Sequence, residues 1–330
     1  MAVSLMRALL ASGLTLTAFA SISQARADDY PSRQITIMPL LAAGTGLDIA
    51  VRLYAEQLSK NFGKPVVVEN KPGSAGLIGI AALKAAPADG YTLMVATSAV
   101  MAIRPTLLKH TPYDPQKDFA PIALYVKSPF ILVVDPKLPI HSVPELIKYI
   151  KERPGQLSYS SSGVGGAPQL STEYMKQRFG IDITHVPYRN SPQSIADVAA
   201  GHVAMAFAEA GASLALIRDG RLRALAVTSS TRLASVPELA PFGEAVGAPD
   251  FEAVSWHVLL APGATPANIV EKLHGGMKRI MAAPGMRGKI ADIGLIPLDI
   301  APTEEIRRYI ASESQKWGTL VKSLGLQGSQ

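Results

Sequence analysis

Residues 34–62 read QITIMPLLAAGTGLDIAVRLYAEQLSKNF, and their reading decides the fold. Gln34–Leu40 is short, apolar and β-branched at Ile35, Thr36 and Ile37, the pattern of a buried strand. After Gly46 the period changes. Leu47, Val51, Tyr54, Leu58 and Phe62 recur at three- and four-residue steps, one face of a helix, and Gly63-Lys64-Pro65 stops it. Between them lie Ala43, Gly44, Thr45, Gly46 and, one residue on, Asp48. A strand, a small-residue loop and a helix N-terminus together make an anion site, because backbone N–H groups converge there and the helix dipole favours negative charge. A plain β–α turn that needed two glycines is the alternative, and this stretch alone leaves both open.

The 330-residue chain is 48% hydrophobic and 18% charged, and it has no cysteine. Arg7, the apolar run Ala8–Ile22 and the A-x-A site Ala25-Arg26-Ala27 form a secretory signal peptide over residues 1–27, with cleavage expected near Ala27. An exported chain without cysteine must hold together by core burial alone, and about 300 residues suffice for two domains. The formal charge of +6 falls to +4 once Arg7 and Arg26 are removed. Basic residues are scattered and aromatics are few, which argues against nucleic acid. A mild positive balance helps collect small anions.

Downstream, strand and helix alternate, the mark of a parallel α/β sheet with binding loops at strand carboxyl ends. Val66–Val68 is a strand, Leu77–Ala86 a helix, and Tyr91–Ala96 a strand delivering Thr97 and Ser98 into a second loop. Pro112–Pro121 reads as irregular. Ile122–Asp135 is long and apolar with Pro129 inside, so it reads as a crossing from one domain to another; Phe251–Ala261 reads as the return. Between them, Ser142–Glu145 is a capping box, and Ser191-Pro192 opens a helix with Ser at the N-cap. Strands Leu157–Ser160, Ile183–Val186 and Val203–Phe207 each lead into a small-residue loop. The expected organisation is residues 28–126 and 255–330 in one lobe and 127–254 in the other, joined by two hinge crossings around a cleft.

The loops around Gly44, Ser98, Gly163, Asn190 and Gly211 all follow strands and can face one another across that cleft. Arg189 reads either as a bidentate carboxylate clamp or as a solvated surface residue. Asp48 reads as a helix cap or as a partner for a ligand donor. Glu209, alone among Ala and Gly, is a ligand contact or an exposed acid. The six histidines show no metal-binding spacing, and Ser160-Ser161-Ser162-Gly163 is no nucleophile elbow and has no base beside it in sequence.

A series of motifs carries a family resemblance over nearly the whole mature chain. They are Tyr30–Arg33, Gly44–Asp48, Pro65–Gly73, Asp89–Leu93, Pro112–Pro115, Asp118–Pro121, His185–Arg189, Leu222–Thr228, Ser255-Trp256 and Leu259–Pro262. The chain resembles the tripartite tricarboxylate transporter substrate-binding proteins, the Bug or TctC-type periplasmic solute receptors. The resemblance implies a type II, Venus-flytrap binding protein of two doubly wound α/β lobes. It also implies a periplasmic, monomeric receptor that closes on a small carboxylate and hands it to membrane permease subunits, with no cofactor, metal or catalytic residue. Carried over by position, it gives Ala43, Gly44, Thr45, Gly46, Asp48, Thr97, Ser98, Ser162, Gly163, Gly165, Tyr188 and Asn190 as ligand residues. The reading of the residues adds Arg189 and Glu209. Leu47 before Asp48, Gln169 where His is frequent, and Ala208 where Asp is frequent depart from the family pattern. A hydrolase working in the same cleft is the rival reading.

Overall fold

The computed structural model describes residues 30–330, so the signal peptide expected over residues 1–27 lies outside the described residues. The first lobe opens with β1 (Ile35–Pro39), α1 (Gly46–Phe62), β2 (Val66–Val68), α2 (Leu77–Ala85) and β3 (Thr92–Thr97). A π-helical turn, Ala99–Ile103, runs into the short α3 (Arg104–Leu107), and β4 (Phe119–Ser128) follows. The second lobe contains β5 (Phe130–Val134), α4 (Val143–Lys151), β6 (Ser158–Ser161), α5 (Ala167–Phe179), β7 (Thr184–Pro187), α6 (Ser191–Ala200), β8 (Met205–Glu209), α7 (Ala210–Arg218), β9 (Arg223–Val227) and α8 (Phe242–Ala245). The chain then returns through β10 (Ser255–Pro262), α9 (Ala267–Ala282), α10 (Met286–Asp292), β11 (Ile296–Pro297) and α11 (Thr303–Ser323).

Two sheets result, ordered β11-β4-β10-β3-β1-β2 and β7-β6-β8-β5-β9. Neither is purely parallel, which corrects the expectation from strand–helix alternation. The reason is the crossing itself. Strand β4 runs out of the first lobe and β10 runs back into it, so where they pair they must be antiparallel. Strand β5 enters the second lobe and is likewise antiparallel to β8 and β9. Strands β1, β2 and β3 stay mutually parallel, as do β6, β7 and β8. This arrangement points the carboxyl ends of β1, β6, β7 and β8 toward the other lobe, so their loops meet between the two.

Pro129 falls between β4 and β5, where neither ladder needs its missing N–H. Pro121, by contrast, lies inside β4, so the strand begins earlier than the irregular reading of Pro112–Pro121 allowed. The ladder accommodates it by skipping: Leu259 pairs with Ala123 and Leu260 with Pro121, leaving Ile122 bulged, and Tyr125 is skipped in the same way. Both skipped carbonyls find donors, Ile122 from His274 Nδ1 at 2.8 Å and Tyr125 from the Leu298 amide at 3.0 Å. In the capping box, Ser142 accepts from the Glu145 amide, but Glu145 reaches back to the amide of His141 rather than of Ser142.

The core lies on both faces of each sheet. Helix α1 buries Leu47, Val51, Tyr54 and Leu58 of its predicted stripe together with Ala50, leaves Phe62 half-buried, and ends at Gly63 with φ 63°. Helix α11 is fixed to β10 by one acid. Glu313 accepts from Trp256 Nε1 at 2.9 Å and from Trp317 Nε1 at 3.0 Å, which satisfies the two largest buried side chains. The lobes touch beside the crossings and also at the C-terminus, where Gln330 Nε2 donates to the Val164 carbonyl at 3.0 Å. Lys127 at the end of β4 grips both oxygens of Glu252 at 3.1 and 2.9 Å, just before β10 begins. Among the described residues no helix is long and apolar enough to cross a membrane.

Candidate functional site

A cavity of about 530 Å³ opens between the lobes. Its first-lobe wall is Leu41–Leu47 with Ile293–Leu295; its second-lobe wall is Ser162, Asn190–Pro192 and Glu209–Ala212, and Ser128 sits at the crossing. Gly294, at φ 80°, lies so close to Ala210 that an added Cβ would meet its methyl at 2.5 Å, so the lobes touch at one edge of the cavity.

Three helix N-termini reach this space: Gly46 of α1, Ser191 of α6 and Ala210 of α7. The first amides of a helix have no partner within it. In α1, Thr45 caps by accepting from the Asp48 amide at 3.2 Å, and its own carbonyl takes the Ile49 amide, which leaves the amides of Gly46 and Leu47 as free donors. In α6 the N-cap is Asn190, one residue before the expected Ser191, because Asn190 Oδ1 accepts from the Gln193 amide at 2.9 Å. Its oxygen is thus occupied, and its amide nitrogen is the end left for other partners. In α7 the N-cap Glu209 makes no side-chain bond to its own helix, so no side chain caps the first amides of α7.

Asp48 lies behind the loop. Burial opposes its ionisation, but Arg52 Nε at 2.9 Å, the Gly44 amide at 2.9 Å and Asn70 Nδ2 at 2.9 Å outweigh it and hold the carboxyl below its usual value. The amide of Gly44 is therefore spent inside the loop. Its φ of 82° is the left-handed conformation that aims it there, which is why glycine stands at this position. Gly46 has no such φ; an added Cβ would lie 3.7 Å from the Ile293 carbonyl oxygen.

Of the fourteen residues named from sequence, the structure brings Ala43, Gly44, Thr45, Gly46, Ser162, Asn190 and Glu209 to one cavity. Thr97 and Ser98 are not brought there. The chain passes directly from β3 into the π-helical turn, and Ser98 Oγ turns inward to Ser255 Oγ at 3.1 Å. Gly163 and Gly165 lie in the adjoining loop. Gly165 packs toward Leu107 and Gln330 of the other lobe, so close that a Cβ would meet them at 2.5 and 3.1 Å. Tyr188 turns its hydroxyl to Asp197 Oδ2 at 2.6 Å, and Arg189 is exposed and does not line the cavity. Sequence reasoning missed Ile293–Leu295 entirely; the stretch carries no chemical signal beyond Gly294.

Sequence reasoning also found no base beside the serine run, and the fold supplies one: His185 Nε2 lies 2.7 Å from Ser161 Oγ. The surrounding bonds fix its role. Gln169 Oε1 accepts from the Gly165 amide at 2.6 Å, so Gln169 presents its NH₂ to His185 Nδ1 at 3.3 Å. Nδ1 must accept, Nε2 carries the proton and donates to Ser161 Oγ, and Ser161 donates on to the Gly163 carbonyl at 3.0 Å. A histidine that donates to the serine does not deprotonate it. The relay pins the Ser162–Gly166 loop instead. Burial pushes the His185 pKa down, with Lys176 adding to the effect and Glu173 opposing it.

The sequence matches the tripartite tricarboxylate transporter family receptor over residues 50–326. The chain belongs to that family. Protein BugT of Bordetella pertussis is 34% identical over 300 residues, 91% of each chain. A protein of Pseudomonas sp. strain P51, encoded between tcbD and tcbE, is 32% identical over 319 residues, 96% of this chain and 94% of that one. Among solved structures, Rpa4515 of R. palustris with adipate superposes with a TM-score of 0.81 at 33% identity, covering 90% of this chain and 99% of that one. MatC of Rhodopseudomonas palustris with bound malate gives 0.76 at 25% identity, covering 88% and 100%. The two-lobed type II binding-protein fold expected of a family receptor is thus the fold observed, and it is shared with the periplasmic binding protein BugD.

Proposed function

We propose that this receptor works in the periplasm, captures a small carboxylate in the cavity between its lobes, closes about the Ser128–Phe130 and Glu252–Ser255 crossings, and presents the closed form to permease subunits of a tripartite transporter. One observation carries the reading. Three helix N-termini bring backbone donors to a single cavity, and no Lys or Arg is among the residues that line it. Such a site pays for removing a carboxylate from water with several charge-assisted bonds at once, without a cation that would hold it too firmly to release. The two R. palustris relatives solved with adipate and malate are carboxylate-bound members of the same fold. No bond-making is needed, and the Ser161–His185 pair is arranged for loop geometry.

The test is calorimetric titration of ligand-free protein with mono-, di- and hydroxycarboxylates, with small-angle scattering on the same samples. Micromolar or tighter binding of at least one carboxylate, and a smaller radius of gyration when it is bound, are expected. Absence of binding across the panel, or hydrolysis of the corresponding esters, refutes the reading.

A further inference from the structure

Glu209 is the one ionisable side chain among the residues lining the cavity. It ends β8 opposite Phe130, and its backbone carbonyl is fixed by Ser213 Oγ at 2.9 Å. Its carboxylate makes no hydrogen bond or ion pair among the described residues, and it does not cap the helix it precedes. The residue is half-buried at the cavity wall, burial raises its carboxyl pKa, and no neighbouring cation or hydrogen-bond donor offsets that.

An acid in this place conflicts with the rest of the cavity. The amides of α1 and α6 favour an anion, whereas Glu209 repels a second negative charge brought into the same desolvated space. Both features are satisfied together only by a solute with two unlike ends. Building on the carboxylate-receptor reading above, we propose that the solute carries one carboxylate and, at its other end, a hydrogen-bond donor, either an ammonium or a hydroxyl group. Its carboxylate meets the Gly46–Leu47 and Ser191 amides, and its donor end is taken by Glu209. A fully ionised dicarboxylate is selected against. Ala208 stands before Glu209 without a charge of its own, so the selection rests on this single side chain.

The test uses ligand-free protein and straight-chain acids of two to eight carbons in four matched series: ω-amino, ω-hydroxy, dicarboxylic and plain monocarboxylic. Titration at pH 7.5 is expected to give an amino or hydroxy acid at least ten-fold tighter than the dicarboxylate and the monocarboxylate of equal length. Glu209→Gln should weaken the ω-amino acid roughly ten- to hundred-fold, since a charge-assisted bond is lost, and should strengthen the dicarboxylate. An ω-hydroxy acid should lose less, because the glutamine carbonyl still accepts, and this separates the two donor types. Glu209→Asp should keep the order of preference with lower affinity, which guards against reading misfolding as specificity. Dicarboxylates binding as tightly as the amino and hydroxy series, or an order of preference unchanged by Glu209→Gln, overturns the inference while leaving the carboxylate reading intact. Failure of all four series overturns both.

Discussion

Gly44 donates its amide to the Asp48 carboxylate across 2.9 Å, so the glycine loop encloses its own anion and turns its remaining amides outward. Asp48 is accordingly a scaffold for the site. Oδ2 accepts from Gly44 and Arg52 and Oδ1 from Asn70, and Asn70 in turn donates to the Leu41 carbonyl at 3.1 Å. Asp48→Asn sets an NH₂ against either the Asn70 NH₂ or the Gly44 and Arg52 donors. Arg52 is half exposed, so the loss of its ion pair counts for little. The unpaired buried donors should cost about 1–3 kcal/mol of stability. Denaturant unfolding with and without ligand checks this. The variant should be less stable in both conditions and bind more weakly. A normally stable Asp48→Asn protein with abolished binding would instead place Asp48 on the ligand.

The two glycines of the loop should separate by readout. Gly44→Ala has open space for its Cβ but forces a side chain into φ 82°, so it should lose about 1–2 kcal/mol of stability. Gly46→Val meets no backbone strain and places its side chain beside the Ile293 carbonyl in the cavity. It should fold with nearly unchanged stability and lose ligand affinity ten-fold or more. Thermal melts paired with titrations distinguish the two, and equal effects of both on both quantities would refute the division.

The first βα unit was legible because period and punctuation agree there: β-branched residues, then Gly44 and Gly46, then a helical stripe ended by Gly63. The crossing at Pro129 was legible because proline cannot serve a central ladder. Sheet direction was not legible, because the antiparallel pairing of β4 with β10 joins residues more than a hundred positions apart and leaves no local mark. Thr97 and Ser98 were misplaced for a similar reason. A strand followed by small residues reads as a loop, whereas Ala99–Ile103 continues as a π-helical turn held by burial of Val100, Met101 and Ile103. The Ser161–His185 pairing depends on the parallel register of β6 and β7, which sequence spacing does not encode.

His257 should make the protein acid-sensitive. It is fully buried on β10 between Thr97 of β3 and Val126 of β4, and neither ring nitrogen has a partner among the described residues. Burial drives its pKa down from 6.5 to about 3. The folded state thus resists a proton that the unfolded chain accepts. Stability from this residue is complete above pH 6.5 and is lost progressively as the pH falls toward 3. At pH 4.5, two units below the unfolded value, the loss is roughly 3 kcal/mol. Asp48 and Asp118, whose carboxyls are held low, lose their contributions only further down. Urea unfolding at pH 7 and 4.5 should show the drop in the parent and most of it abolished in His257→Leu. An equal drop in both would refute the assignment.

The relay from Gly165 through Gln169 and His185 to Ser161 yields the sharpest contrast. In the parent, His185 is neutral with its proton on Nε2, since Gln169 offers Nδ1 a donor. Protonation at Nδ1 would set two donors face to face. Burial is the largest force lowering the His185 pKa, and Lys176 also lowers it against the pull of Glu173. The contribution to stability and to loop order is therefore full above about pH 6.5, the ordinary histidine value, and declines as the pH falls below it. Gln169→Leu removes the partner of the Gly165 amide and of Nδ1 together. It should loosen the Ser162–Gly166 loop, cost about 1–3 kcal/mol and weaken ligand binding at every pH. Gln169→Glu should act differently. Its carboxylate still accepts from Gly165 and now also accepts from a protonated Nδ1, which raises the histidine pKa from its parental value. The loss of stability on acidification shrinks accordingly, because the folded and unfolded values are brought closer together. Titration of the His185 ring by NMR in parent and Gln169→Glu proteins, with affinity measured at pH 5.5 and 7.5, checks both steps. The parent should bind more weakly at pH 5.5, and Gln169→Glu should lose much of that weakening. A His185 pKa that does not rise in Gln169→Glu would show that Gln169 does not set the tautomer, and the loop would then owe its order to the Ser161–Gly163 bonds alone.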